Sequence, residues 1–172
     1  MEKRTYTAKD IMTRDVVCVH TGTNLRELEK IFLEKGISGA PVVDEDANLV
    51  GVISLRDLIY YHLTEGDRPF SDSDFYRDAE LDKAFAANGY QIEDYDIGLV
   101  VEMMTPVAHT AGPDTSVDEL ARMMTQKGIH RVIITRGKKV VGLVSAMDLL
   151  RVIADMHQEQ TGAATDGRIA AT

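Results

Sequence analysis

Apolar positions along this chain follow two alternating periods. Leu25, Leu28, Ile31 and Phe32 recur at helical spacing, and so do Val117, Leu120, Met123 and Met124. Side chains three and four apart share one helix face, so each set predicts an amphipathic helix. Asn24 with Glu27, and Ser116 with Glu119, stand at the start of these sets with the spacing of a helix-opening cap. In such a cap the two residues satisfy each other's backbone donors. Gly36 and Gly128 follow the last apolar turn, where a helix closes on a left-handed residue. Short apolar runs at 16–19, Pro41-Val42-Val43, 49–53, Val132-Ile133-Ile134 and 140–144 read as strands. Polar turns at 44–48 and at Arg136-Gly137-Lys138 separate the later strands. Ser54 and Ser145 then open final helices carrying Leu58 and Ile59, and Leu149, Leu150 and Ile153.

The pattern is one unit written twice. At an offset of 92, Met12-Thr13 falls on Met104-Thr105, Thr23 on Thr115, Glu27-Leu28 on Glu119-Leu120, and Lys35-Gly36-Ile37 on Lys127-Gly128-Ile129. One residue fewer in the second turn makes the offset 91, and Val50-Gly51, Ser54 and Asp57-Leu58 fall on Val141-Gly142, Ser145 and Asp148-Leu149. Each unit reads strand, helix, strand, strand, helix. A lone unit of about 50 residues is marginal, so the two are expected to bury their apolar faces against each other.

The intervening stretch differs. Residues 65–96 hold ten acidic and three basic residues and six of the ten aromatics, which argues against a floppy linker. A helix over 73–87 is expected there, packed on the pair or on a neighbouring subunit. The expected division is a first module at 7–64, an acidic aromatic-rich helical insertion at 65–97, a second module at 98–157 and a disordered tail at 158–172. The fold class is α/β (α+β), two tandem β-α-β-β-α modules in a pseudo-twofold pair.

Composition narrows the function. The formal net charge is −9, which disfavours nucleic acid and anionic membrane surfaces as partners. An anionic ligand must be held by a local basic cluster. No apolar run reaches membrane-spanning length, the first residues are polar, and one cysteine, Cys18, suits a reducing compartment, so a cytoplasmic location is expected.

Three motifs recur in order in both halves. Asp10-Ile11-Met12-Thr13 matches Glu102-Met103-Met104-Thr105. Gly36-Ile37-Ser38-Gly39-Ala40-Pro41-Val42-Val43 matches Gly128-Ile129-His130-Arg131-Val132-Ile133-Ile134. Gly51-Val52-Ile53-Ser54-Leu55-Arg56-Asp57-Leu58 matches Gly142-Leu143-Val144-Ser145-Ala146-Met147-Asp148-Leu149. These resemble the CBS domain family, named after cystathionine beta-synthase, over roughly 7–63 and 100–156. The resemblance implies a disc-like tandem pair with two clefts for AMP, ADP, ATP or S-adenosylmethionine. It also implies a homodimer that regulates an effector, here expected to be a separate protein.

The residues allow a functional and a structural reading at each position. In Ser54-x-x-Asp57 and Ser145-x-x-Asp148 the spacing alone favours a helix cap. The resemblance implies that the aspartate holds ribose hydroxyls, with the serine near phosphate, and both roles are compatible. His130 and Arg131 form either a solvated pair or a phosphate grip. Their first-module counterparts, Ser38 and Gly39, carry no charge, which predicts unequal clefts. In the family, basic groups often come from the opposite module. The stronger cleft then pairs Ser54 and Asp57 with His130 and Arg131, and the weaker pairs Ser145 and Asp148 with Arg56 and Ser38. Val16, Val17, Ala40 and Pro41 in one cleft, and Val107, Ala108, Val132 and Ile133 in the other, are either core or walls of an adenine slot. Val132-Ile133 in place of Ala40-Pro41 narrows the second slot.

Other chemistry is thin. Cys18 has no neighbouring histidine in sequence, the five histidines lack metal-ligand spacing, and Asp72, Asp74 and Asp78 lack the glycine and closing glutamate of a calcium loop. No phosphate-binding glycine loop or nucleophile elbow is present. The expectation is therefore an adenine-nucleotide-sensing regulatory module without a catalytic cofactor, not an enzyme. The alternative is a dimerisation or protein-interaction module with empty clefts.

Overall fold

The amphipathic segments form the expected helices, and their ends are built by the residues that the spacing singled out. A computed structural model describes residues 5–64, 98–106 and 108–165. The helix expected over 73–87, the Asp72, Asp74, Asp78 cluster and Val107 lie outside the described residues. Helix α1 is Ala8–Ile11 and helix α2 is Leu25–Lys35. Asn24 Oδ1 accepts from Glu27 N at 2.9 Å, and Gly36 closes α2 at φ 62°. Leu25, Leu28 and Phe32 form its buried face. The second module repeats this in Val117–Lys127, labelled α5 below. Ser116 Oγ accepts from Glu119 N at 3.2 Å, and Gly128 has φ 63°.

Each module carries one three-stranded sheet. In the first, β1 (Val19–His20) runs parallel to β2 (Gly39–Val43), and β2 runs antiparallel to β3 (Leu49–Ser54). Only the last residue of the run expected at 16–19 joins a strand. Helix α3 (Leu55–Thr64) follows directly. The second module opens with α4 (Val100–Met103) and continues with β4 (Thr110–Ala111), α5, β5 (Arg131–Arg136), β6 (Lys139–Ser145) and α6 (Ala146–Thr165). Both hairpins slip register at the same place, between Val42 and Val43 and between Ile134 and Thr135. Pro41 is tolerated in a middle strand for a local reason. Its partner Val52 turns its N–H outward to Thr105 O, and β1 pairs only from Val42 onward, so the absent proline N–H removes no ladder bond.

The modules exchange their leading segments, and the sequential division expected from the repeat is crossed. Helix α1 docks on the second module, with Ala8 N donating to Thr115 O and Lys9 N to Pro113 O, both at 2.8 Å. Thr13 and Leu143 then pair, adding a rung to the edge of β6. Helix α4 docks reciprocally on the first module. Val100 N donates to Thr23 O at 2.9 Å, and Thr105 pairs with Val52 on the edge of β3. The cores follow the exchange. Ala8 packs with Leu120, Ile133 and Val144, whereas Val100 and Met103 pack with Leu28, Val42 and Ile53. Burying these side chains together is the main force joining the halves. The hairpin turns also meet: Leu49 N donates to Lys138 O at 2.8 Å, and Lys139 Nζ donates to Asp46 O.

One boundary is corrected. The tail expected to be disordered from 158 is helical as far as Thr165. Gln158, Glu159, Gln160, Ala163 and Ala164 favour helix, and they offset the poor formers Thr161 and Gly162.

Candidate functional site

The site begins where each hairpin runs straight into a helix. Ser54 ends β3 and precedes α3, and the side chain of Asp57 folds back on it. Asp57 Oδ2 accepts from Ser54 N and from Ser54 Oγ, each at 2.6 Å. The second module builds the same cap: Asp148 Oδ2 accepts from Ser145 N at 2.8 Å and from Ser145 Oγ at 2.6 Å. Asp148 N donates in return to Ser145 Oγ at 3.3 Å. Asp57 is 1% exposed and Asp148 8%. Both aspartates therefore sit as caps, and each commits one oxygen to its serine. The other oxygen of Asp148, Oδ1, accepts from Arg151 Nη1 at 2.8 Å.

The loops leading into β2 and β5 lie against these helix starts. Leu55 N donates to Ser38 O, and Ala146 N to His130 O, both at 2.8 Å. Gly39 is in register with Ser54, and Arg131 with Ser145. Ser38 is buried beside the first cap, and His130 is exposed beside the second. The half-buried Arg131 crosses between modules, with Nη1 3.5 Å from Ser38 Oγ. This contact brings a second-module guanidinium to the serine beside the first-module cap. Arg56 is exposed on the first turn of α3.

The apolar candidates divide. Ala40 and Val132 are fully buried members of the two cores. Pro41 is buried in β2, whereas Val17 and Ala108 are half-buried on the segments that precede β1 and β4. Burial pushes the Cys18 thiol above its ordinary value, which makes its thiolate scarcer at neutral pH. Among the described residues, no group of His, Cys, Asp and Glu is placed to hold a metal ion. No described helix is long and apolar enough to cross a membrane.

The family model for the CBS domain matches residues 8–63 and 100–155. This chain belongs to the CBS domain family. A curated relative, protein MJ1232 of Methanocaldococcus jannaschii, is 30% identical over 151 residues, which is 87% of this chain and 40% of that protein. This chain thus spans less than half of that relative's length. The CBS domain pair of protein MJ0100, solved in complex with 5′-methylthioadenosine and S-adenosyl-L-methionine, superposes with a TM-score of 0.64 at 23% identity. That match covers 89% of this chain and 99% of the other. CBSX2, solved in complex with AMP, superposes with a TM-score of 0.64 at 22% identity, covering 88% of this chain and 98% of the other. At these identities the superpositions speak for the fold.

Within the CBS pair, the fold joins Ser38, Ser54, Asp57 and Arg131 into one cluster across the module boundary. It joins Ser145 and Asp148 into a second. Arg151 is the member that the repeat comparison passed over. Its signal was present in the sequence, because an acid and a base three apart on a helix are neighbours.

Proposed function

We propose that this CBS pair is a regulatory module that binds an adenosyl ligand between its modules and signals the bound state to a separate protein. The observation that carries this reading is the reach of Arg131 from one module to Ser38 on the other, beside the Ser54–Asp57 cap. A cation for phosphate and a carboxylate for sugar hydroxyls then flank one cleft, in a chain whose net charge of −9 otherwise repels anions. His130 stands instead beside the second cap, where its carbonyl accepts from Ala146 N. Val17 and Pro41 wall the adenine slot, with Ala40 behind them. In the second cleft Asp148 and Ser145 take the sugar with His130 at the rim, and Ala108 and Val132 line the slot, whereas Ser38 and Arg56 stand by the first cap.

The ligand class is AMP, ADP, ATP or S-adenosylmethionine, in keeping with the complexes of the two superposed structures. The chain acts as a homodimer in the cytoplasm and catalyses no reaction. Binding shifts the angle between modules only as far as the ligand's affinity differs between the two arrangements. A dimerisation role without a ligand is the second reading. It draws on Met147, Leu150 and Ile153, which leave 59%, 55% and 62% of their surface exposed on α6.

Calorimetric titration of the whole chain with AMP, ADP, ATP, S-adenosylmethionine and NAD tests the first reading. At least one should bind, and at about 100 times its dissociation constant it should stabilise the fold by about 2.7 kcal/mol. Heats at the dilution baseline for all five, with no rise in melting temperature, would leave only the dimerisation role.

A further inference from the structure

The two caps are equivalent in sequence but not in charge. The counterpart of Arg151 in the first module is Tyr60. The side chain of Arg151 is 74% exposed, whereas that of Asp148 is 11% exposed. An exposed surface cation thus sits over a nearly buried carboxylate, at 2.8 Å. Tyr60 carries no charge with which to copy this pair.

We infer that Arg151 selects the ligand of the second cleft, setting it for nucleoside 5′-phosphates over uncharged adenosyl compounds such as adenosine and 5′-methylthioadenosine. This inference rests on the adenosyl-binding reading above. Asp148 Oδ2 already accepts from the serine N–H and O–H, so both of its lone pairs are engaged. Oδ1 keeps one lone pair beside the Arg151 bond. A ribose offers two adjacent hydroxyls and so needs a second acceptor direction. An uncharged nucleoside must compete with a guanidinium for it. A ligand with a phosphate offers that guanidinium a better anionic partner. Arg151 then turns from Oδ1 to the phosphate, and the carboxylate opens to the sugar. One side chain therefore penalises ligands without an anion and rewards those that carry one.

The test compares AMP with adenosine and 5′-methylthioadenosine by calorimetry, on the whole chain carrying Asp57→Asn to weaken the first cleft. In that background Arg151→Ala and Arg151→Tyr should bind adenosine more tightly and AMP more weakly. The ratio of AMP to adenosine affinity should fall about tenfold, the scale of one charge-assisted hydrogen bond. Arg151→Lys should keep most of the preference. Because the Arg151 guanidinium is exposed, its loss leaves the core intact, and circular dichroism with melting temperature checks this. A ratio unchanged within about twofold, in folded protein that still binds AMP, would overturn the role of Arg151 and leave the sensing function standing. If the unsubstituted chain binds no adenosyl ligand, both fall together.

Discussion

Thr13 and Leu143 exchange two backbone hydrogen bonds of 2.9 Å, one in each direction, across the boundary between the halves. Thr105 and Val52 do the same in mirror image, at 2.8 and 2.9 Å. Each module thus completes the edge of the other's sheet. Next to each rung lies a glycine, Gly51 or Gly142, over which the neighbour's methionine packs.

The two glycines should differ in tolerance. A Cβ at Gly51 would stand 2.5 Å from Thr105 O, a backbone atom fixed by the rung itself. At Gly142 the nearest atoms belong to the Met12 side chain, which can turn away. Gly51→Ala should cost about 2–3 kcal/mol in urea unfolding and Gly142→Ala about 1 kcal/mol. Met12→Ala should relieve the second and leave the first unchanged. Equal costs would mean that Thr105 is free to move.

The exchange also predicts which module suffers when a segment is lost. Deleting residues 1–13 removes Ala8 from the second core and the acceptor of Leu143 N. Hydrogen exchange should accelerate in β6, and in α5, whose Val117 N donates to Tyr6 O, while β2 and β3 stay protected. Faster exchange in the first module instead would show that the leading segment serves its own half.

Much of this was legible because it is local. Asn24, Ser116, Gly36 and Gly128 mark helix ends through chemistry within a few residues, and the strands follow from Val42-Val43 and Ile133-Ile134. The destinations of α1 and α4 were not legible. Met12 and Met104 occupy equivalent repeat positions whether they pack at home or across the pair, and no local pattern distinguishes the two. The cap role of Asp57 and Asp148 was readable from spacing. The resemblance set Arg131 with Ser54 and Asp57 but put Ser38 in the other cleft, and the contact of Arg131 with Ser38, over 93 positions, leaves no periodic trace.

The caps themselves have measurable worth. Asn24→Ala and Ser116→Ala each remove one acceptor from a helix start, and each should cost about 1 kcal/mol. Gly36→Ala and Gly128→Ala force a side chain into left-handed backbone and should cost about 1 kcal/mol each. Costs from the two helices should add, because the sites share no partner. Denaturant midpoints of the single and double variants check the sum.

The first hairpin turn predicts an acid-side response. The Asn48 backbone N–H at 2.7 Å and its side-chain amide at 3.0 Å hold the Asp44 carboxyl below its ordinary value. A carboxyl lowered in the folded state stabilises the fold above its unfolded value, about pH 4, and loses that contribution as pH falls through the folded value. Asp44→Asn should therefore flatten the fall in melting temperature between about pH 5 and pH 3. An unchanged slope would show that the turn keeps its geometry without the charge.

Arg131 should matter in proportion to ligand charge. Its guanidinium lies 3.5 Å from Ser38 Oγ, so truncation removes a cation and leaves the Ser54–Asp57 cap whole. Arg131→Ala should weaken AMP about tenfold to a hundredfold, ADP and ATP at least as much, and adenosine little. Asp57→Asn should instead weaken adenosine and the nucleotides by similar factors, because the sugar is common to all of them. Calorimetry on the two variants separates the roles. Parallel losses across the series for both variants would mean that the two residues act on the shape of the cleft and not on phosphate and ribose.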